Sequence, residues 1–543
     1  MPGEKQTEKI FNRIWNNMDA LRLIVLSVFF VIVIFSSWMC DDAYHGFVMA
    51  KHLVEGNGFV YNIGERVNAA TNPLFILIIA LVDAVSDSMY ISATVVSVLF
   101  SSLAAIILLF KFCETRMQLA ECFIFLCTCR SFVTYTTSGL ENCLLFLLAV
   151  LMMLVILKNE EYGTKQLLIL ALVMSAAAMT RLDNALIYAP VLVYIYLFKR
   201  KNVSFIKCVL VGFTGLLPFI LWECFSLFYY GSLVPNTAYI KLNTGISTAT
   251  YIERGLEYIG VTFINDILVI LLPVIAVIIC LHIKDNKYRM IAAGLIFYLL
   301  YLIRIGGDFM LGRHFTVIYF ISVILVMHIQ KEKGMLAMGQ SRRYALTGSL
   351  IMISFFSLMI NQAYGKQFLW GESRVTKADI ADERDFYYPK TSLFSNFDGF
   401  TKYHDMLIKY TWSTDEINII KKEEKKRALL SWAPGIIVYY NSDIYLQDPF
   451  GLGDPLLSRL PSAKEPEDSF RVGHMHRDIP KGYRESIENN DNEIVDPSLH
   501  KYYDKIRIVV CGEDLWDKNR LKTIIDFNLG KYDYLIDEYK KIQ

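Results

Sequence analysis

Apolar runs divided by short polar stretches fill the first two thirds of the chain. They lie near 20–38, 90–110, 118–132, 140–157, 165–180, 184–198, 206–229, 262–283, 288–304, 314–330 and 345–361. Each approaches the ~20 residues a helix needs to cross a bilayer, so the pattern predicts about eleven transmembrane helices. Leu74 to Val85 is half a span that follows Pro73 and ends among Asp83 and Asp87. It reads as a re-entrant or interfacial segment, which is tolerated only where protein buries it. After Asn361 the pattern becomes polar and rich in Tyr and Trp. That remainder, about 180 residues, is long enough to bury its own core. Ile436 to Tyr440 and Ile506 to Cys511 read there as short buried strands, and Asp415 to Leu430 as a helix. The expected architecture is a polytopic α-helical membrane region, 1–362, followed by a mixed α/β soluble domain, 363–543.

Composition supports this division. Hydrophobic residues make up 54% of the 543, and the mean hydropathy is +0.37. The net charge of +1 gives no electrostatic reason to expect a nucleic-acid partner. The ten cysteines lie mostly in or beside apolar runs, and none has the spacing of a zinc site, so no metal centre is expected. The first apolar run lacks a small-residue cleavage site and reads as an uncleaved span.

Lys and Arg set the orientation. With the N-terminus cytoplasmic, the inner loops carry Lys111, Arg116, Lys158, Lys165, Lys199, Arg200, Lys201, Lys207, Lys284, Lys287, Arg289, Lys331, Lys333, Arg342 and Arg343. An odd number of spans then puts the 363–543 domain outside. It also puts Asp41 and Asp42 at the outer boundary, where the first span ends. Ionisable groups so close to hydrocarbon mark a functional site by default. Mutual repulsion can raise the pKa of one of the pair and suit it to proton abstraction. Equally, Asp42 can serve as a plain N-cap for the helix that follows.

The other outer ends are also polar. They carry Glu141, Arg181, Asn236, Lys241, Arg304, Asp308, Arg313 and His314. Taken singly, Arg181 and Arg304 read as snorkelling side chains and Pro235-Asn236 as a turn. Taken together on one face, they suit a lipid-borne phosphate and a sugar. Guanidinium and ammonium groups pair with phosphate, and carboxylates and amides bind hydroxyls. A carboxylate beside an acceptor hydroxyl serves as general base. The segment Asp448 to His476, rich in Gly, Pro and charge, reads as a surface loop with the option of folding back over this face.

Several motifs recur in a familiar order. These are Asp41-Asp42-Ala43-Tyr44, Glu55-Gly56-Asn57-Gly58, Asn62-x-Gly64-Glu65-Arg66-Val67 and Thr71-Asn72-Pro73. Ser138-Gly139-Leu140-Glu141, Thr180-Arg181, Pro235-Asn236-Thr237 and Gly306-Gly307-Asp308-Phe309 follow. Gly451-Leu452-x-Asp454-Pro455, Arg459 and Gly473-His474 close the set. The ordered set resembles the GT-C glycosyltransferases, and among them the terminal β-1,2-arabinofuranosyltransferases of actinobacterial cell walls. The resemblance implies a multi-pass protein of the bacterial plasma membrane. It implies a polyprenyl-phosphate sugar as donor and a cell-envelope glycan as acceptor. An Asp of the first outer loop, 41–72, would be the catalytic base, Asp41 or Asp42.

The donor phosphate and sugar would then lie among Arg181, Lys241, Arg304, Arg313, His314, Asp308, Asn236 and Glu141. Asp454, Arg459 and His474 would bind the acceptor. A phosphodiester leaving group needs no acid, so a single inverting displacement suffices, unlike the two-carboxylate pattern of glycosidases. No cofactor is required, although the Asp pair has the makeup to hold a divalent cation. The chain departs from the family at Asn68-Ala69-Ala70 and Leu182-Asp183, which leaves the sugar open between arabinofuranose, another pentose and a hexose. A lipid-linked glycan ligase or polymerase would share such an outer site. A lipid or sugar transporter would also carry polar groups in its spans, but would be expected to show two repeated halves.

Overall fold

The computed structural model of the protein describes residues 17–242, 244–332, 380–394, 435–463 and 471–541, with short stretches at 348, 352, 417, 420–422 and 428–430. The apolar runs fold as helices. Met18–Phe35, Met89–Phe112, Arg116–Thr128, Asn142–Lys158, Thr164–Thr180, Phe205–Tyr230, Asn286–Arg304 and Phe315–Glu332 follow the predicted runs closely. Local chemistry sets their ends. The Asn17 side chain accepts from the N–H groups of Asp19 and Ala20. Thr115 and Gln118 form a reciprocal capping box. Among the described residues four helices are long and apolar enough to cross a membrane: Met18–Phe35, Met89–Phe112, Leu182–Lys199 and Phe205–Tyr230. These mark a membrane protein. Eleven spans are not reached by that measure, because several helices are too short. The run 345–361 lies almost wholly outside the described residues.

Two runs depart from expectation. The stretch 262–283 is not one span, since Thr248–Asn265 and Ile267–His282 meet at a 110° bend. The break falls at buried Asp266, whose carboxylate accepts the Ser131 N–H at 2.7 Å. A carboxylate in mid-run needs a protein partner, and turning the chain supplies one. The half-span after Pro73 is the 14-residue helix Pro73–Ser86, with proline in its first turn. Phe75, Ile76, Ile79 and Ala80 are buried, whereas Leu81 and Val85 are exposed.

The C-terminal part corrects the strand assignments. Ile436–Tyr440 is a short helix, and Ile506 to Val510 is the end of the helix Pro497–Val510. Asp496 caps that helix, accepting from the Ser498 and Leu499 N–H groups. Its buried positions Leu499, Tyr502, Tyr503, Ile506, Val509 and Val510 recur with the helical period. Strand structure is confined, among the described residues, to a parallel pair of Ala428–Leu430 with Tyr445–Gln447. The first of these ends the predicted helix Asp415–Leu430, whose remainder is largely outside the described residues. One apolar core joins the membrane helices to Ile436, Ile437, Val438 and Leu446. A second gathers Leu456, Tyr483, Tyr502, Ile506 and Ile536.

The first outer loop joins these cores. The Asn62 amide makes a strand-like pair with Leu446, donating to its carbonyl at 2.9 Å and accepting its N–H at 3.0 Å. Glu65 accepts from the Tyr445 hydroxyl at 2.8 Å. The Arg66 N–H donates to the Val510 carbonyl at 3.0 Å, and its guanidinium reaches the Gly512 carbonyl. The Asn-x-Gly-Glu-Arg motif is therefore a docking edge for the C-terminal part.

Candidate active site

Asp41 and Asp42 open the helix Asp41–Val54. They occupy its first turn, where negative charge is favoured. The Ser-Gly-Leu-Glu turn lies against that helix. The Cys40 N–H donates to the Ser138 carbonyl at 3.1 Å. Gly139 adopts φ +79°, and a Cβ there would come 2.8 Å from the Ala43 Cβ and 2.7 Å from Met39 Sδ. Only glycine meets both demands.

The two aspartates have different surroundings. The Asp41 carboxylate accepts from the Ile436 N–H at 2.8 Å and the Gly435 N–H at 3.2 Å, capping the helix Ile436–Tyr440 from outside. A Cβ at Gly435 would strike the Asp41 carbonyl and carboxyl. Gly435→Ala should therefore lower stability by about 1–3 kcal/mol through overpacking, read as an earlier unfolding transition in detergent. Asp42 makes no hydrogen bond or ion pair among the described residues. Desolvation raises its pKa to about 6, with Arg313 pulling against it and Asp308 adding to it.

Beyond Asp42 lies a buried charge cluster that brings together the predicted Glu141, Arg181, Lys241, Asp308, Arg313 and His314. Glu141 accepts from Arg181 at 3.0 Å, Arg313 at 3.0 Å and the Asn72 amide at 2.8 Å. Burial pushes the Glu141 pKa up, but Arg313 and Arg181 outweigh it and hold it at about 2. Arg181 is gripped from its other side by Asp183 at 2.7 Å. Asp308 lies 3.2 Å from His314 Nε2 and 4.0 Å from Arg313. The other ring nitrogen of His314 is 3.3 Å from the Tyr298 hydroxyl. Burial, then Arg181, lowers the His314 pKa, against the pull of Asp308. Burial also lowers that of Lys241, whose ammonium has no carboxylate within 4.0 Å among the described residues.

The other predicted residues lie around the cluster and make contacts of their own. Arg304 is exposed at the end of its helix, apart from the cluster. The Asn236 amide faces the carbonyls of Gly451, Leu452 and Asp454 at 3.0–3.2 Å, fastening one motif to another. Asp454 accepts from the Leu456 and Leu457 N–H groups and the Tyr483 hydroxyl. Arg459 donates to the Pro455 carbonyl at 2.7 Å and lies over the Tyr239 ring. Both hold the turn together. His474 reaches the cluster, with its ring against Phe309 and Phe450. Burial, then Arg471, lowers its pKa to about 3.

Two groups of the site escaped the sequence reading. Glu383 pairs with Arg471 at 3.0 Å, and Arg471 lies over the Phe309 ring. Glu383 is carried by a segment laced to both catalytic-side loops. Ala381 exchanges backbone bonds with Phe309 and Leu311, and the Thr391 hydroxyl bonds to Met39. Arg130 adds ion pairs to Asp382 at 2.6 Å and Asp385 at 2.8 Å. Desolvation, opposed by Arg471 and reinforced by Asp42 and Asp41, lifts the Glu383 pKa to about 8. Polar composition alone did not separate these residues from ordinary surface, because their role depends on contacts hundreds of positions away. Among the described residues no group of three or more His, Cys, Asp or Glu side chains is placed to hold a metal.

No family model matches the chain. It is similar to the terminal beta-(1->2)-arabinofuranosyltransferase of Mycobacterium tuberculosis, with 26% identity over 412 residues, covering 65% of this chain and 63% of the relative. The chain thus matches less than two thirds of that relative's length. The motifs that build the cluster around Asp42 and the matched sequence lead to one family likeness: the chain resembles the terminal β-(1→2)-arabinofuranosyltransferases, a GT-C glycosyltransferase family.

Proposed function

We propose that this protein is a membrane glycosyltransferase. It transfers a single sugar from a polyprenyl-phosphate donor to a cell-envelope glycan on the outer face of the membrane, with the N-terminus cytoplasmic. Arabinofuranose is the sugar, taken from the activity in the relative's name. The observation that carries the reading is the unequal aspartate pair: Asp41 is committed to capping, while Asp42, which makes no hydrogen bond among the described residues, lies beside a buried cationic cluster.

In the reaction the acceptor hydroxyl loses its proton to the Asp42 carboxylate as its oxygen attacks the anomeric carbon. The bond from that carbon to the phosphate oxygen breaks, and its electron pair leaves with polyprenyl phosphate. One displacement inverts the configuration. Arg181, Arg313 and Lys241 neutralise the phosphate, Asp308 and His314 orient the sugar, and His474 and Glu383 border the acceptor. Glu141 holds the arginines in place.

Lys241 has no ion-pair partner among the described residues of the cluster. Lys241→Ala removes one charge-assisted bond to phosphate, worth about 1.5–3 kcal/mol, and should raise the donor KM by about 10–100-fold. Steady-state kinetics in proteoliposomes reads this directly. The function itself is tested by supplying the reconstituted protein with a panel of polyprenyl-phosphate pentoses and hexoses and an arabinan acceptor. Transfer from the arabinofuranose donor supports the reading. Transfer from a different donor alone would replace the sugar, and transfer of preassembled glycans alone would replace the reaction class with a ligase.

A further inference from the structure

The helix Lys518–Asn528 of the C-terminal region packs against the end of a membrane-spanning helix. Arg520 donates to the Phe228 and Tyr229 carbonyls, both at 2.9 Å, at the last turn of Phe205–Tyr230. The Asn528 amide donates to the Gly231 carbonyl at 2.9 Å. The Trp516 ring lies 4.6 Å from the Phe228 ring, centroid to centroid. The spanning helix is lipid-facing along much of its length, with Phe213, Leu217, Leu221 and Phe225 exposed.

The side of this helix turned away from those contacts is exposed. Lys518, Lys522, Ile525 and Leu529 recur at intervals of four, three and four, which places them on one face. All four are exposed, Ile525 to 59% and Leu529 to 78%, and Trp516 ahead of them is exposed to 74%. A soluble surface has no reason to gather two aliphatics and a tryptophan beside two lysines in this way. At a bilayer surface the combination is expected. Tryptophan and aliphatic side chains enter the headgroup boundary, and lysines extend to lipid phosphates.

We infer that Trp516, Ile525 and Leu529, flanked by Lys518 and Lys522, form an interfacial anchor. It seats the C-terminal region on the leaflet into which the Phe205–Tyr230 helix emerges, with a preference for anionic lipid. This contact would fix the height of the C-terminal region, and with it Arg471 and His474, above the membrane site.

The full-length protein in liposomes gives the test. Tryptophan emission is compared between wild type and Trp516→Phe, with lipids brominated near the headgroup and with aqueous iodide as the opposing quencher. The Trp516 share of the emission should be quenched by shallow bromine and shielded from iodide. Hydrogen exchange on the unmodified protein supplies a second reading. Peptides covering 516–531 should be better protected in anionic than in zwitterionic nanodiscs, and Lys518→Glu with Lys522→Glu should abolish the difference. A Trp516 signal open to iodide and untouched by bromolipid, with exchange indifferent to lipid charge, would overturn the inference.

Discussion

Asp42→Asn is expected to lower kcat for sugar transfer by about 10²–10⁴-fold, the contribution of a positioned general base. The donor KM should change little, because the amide keeps the size of the side chain and the phosphate-binding cations are untouched. Asp41→Asn should behave otherwise. Its amide oxygen can still accept one N–H from Gly435 or Ile436, so most of the catalytic rate should survive, with a cap-sized loss of stability of about 1 kcal/mol. The pH dependence follows from the same surroundings. Asp42 must be ionised to take a proton, and desolvation raises its pKa to about 6. Activity should therefore fall as pH drops through about 6 and level off above it. The ionised Asp42 in turn helps to raise the Glu383 pKa. Glu383, with its pKa lifted to about 8, is protonated throughout that limb, so Glu383→Gln should leave the limb near pH 6. A limb that moved to lower pH would mean that Glu383 is ionised beside the base.

Glu141→Gln carries the second large expected effect, on folding. The Glu141 carboxylate is 1% exposed and ion-paired to both Arg181 and Arg313. Neutralising it leaves Arg181 with Asp183, but leaves Arg313, among the described residues, with the more distant Asp308 as its ion-pair partner. Breaking a buried pair while its partner stays charged destabilises by about 3–5 kcal/mol. Thermal unfolding of the purified variant in detergent measures the loss. The sign with pH is definite. The folded pKa of about 2 lies below the ordinary value of 4.5. The stabilisation is present in full above about 4.5 and disappears as pH falls towards 2. The wild-type advantage over Glu141→Gln should shrink across that window, whereas a variant that matched wild type at neutral pH would contradict a structural role for the cluster.

The helices and the cluster were legible in the sequence for a physical reason. Long apolar runs have few other destinations than helices in a bilayer. Charged residues at their ends must then meet one another or water, and Glu141, Arg181, Asp308, Arg313 and His314 meet. The unequal use of Asp41 and Asp42 was not legible. It depends on the Gly435 and Ile436 N–H groups, nearly four hundred residues away, arriving at one carboxylate and not the other. Ile436 to Tyr440 looked like a strand because β-branched residues crowd it, but burial against the Asp41–Val54 helix decided otherwise. Ile506 to Cys511 misled for a different reason: the short apolar run was read without the helical spacing that begins at Leu499. The bonds that Asn236 and Asp454 make within the protein were not legible either, because buried amides and carboxylates serve turns as readily as substrates.

The most direct test of the central claim follows both products of one turnover. The reconstituted protein is given polyprenyl-phosphate arabinofuranose labelled in the sugar, with an arabinan acceptor. Labelled glycan and free polyprenyl phosphate are then quantified together, and the new linkage is assigned by nuclear magnetic resonance. The account predicts one polyprenyl phosphate released per glycosidic bond formed, with the anomeric configuration inverted and both products absent with Asp42→Asn. Retention of configuration, or transfer undiminished in a folded Asp42→Asn protein, would contradict it.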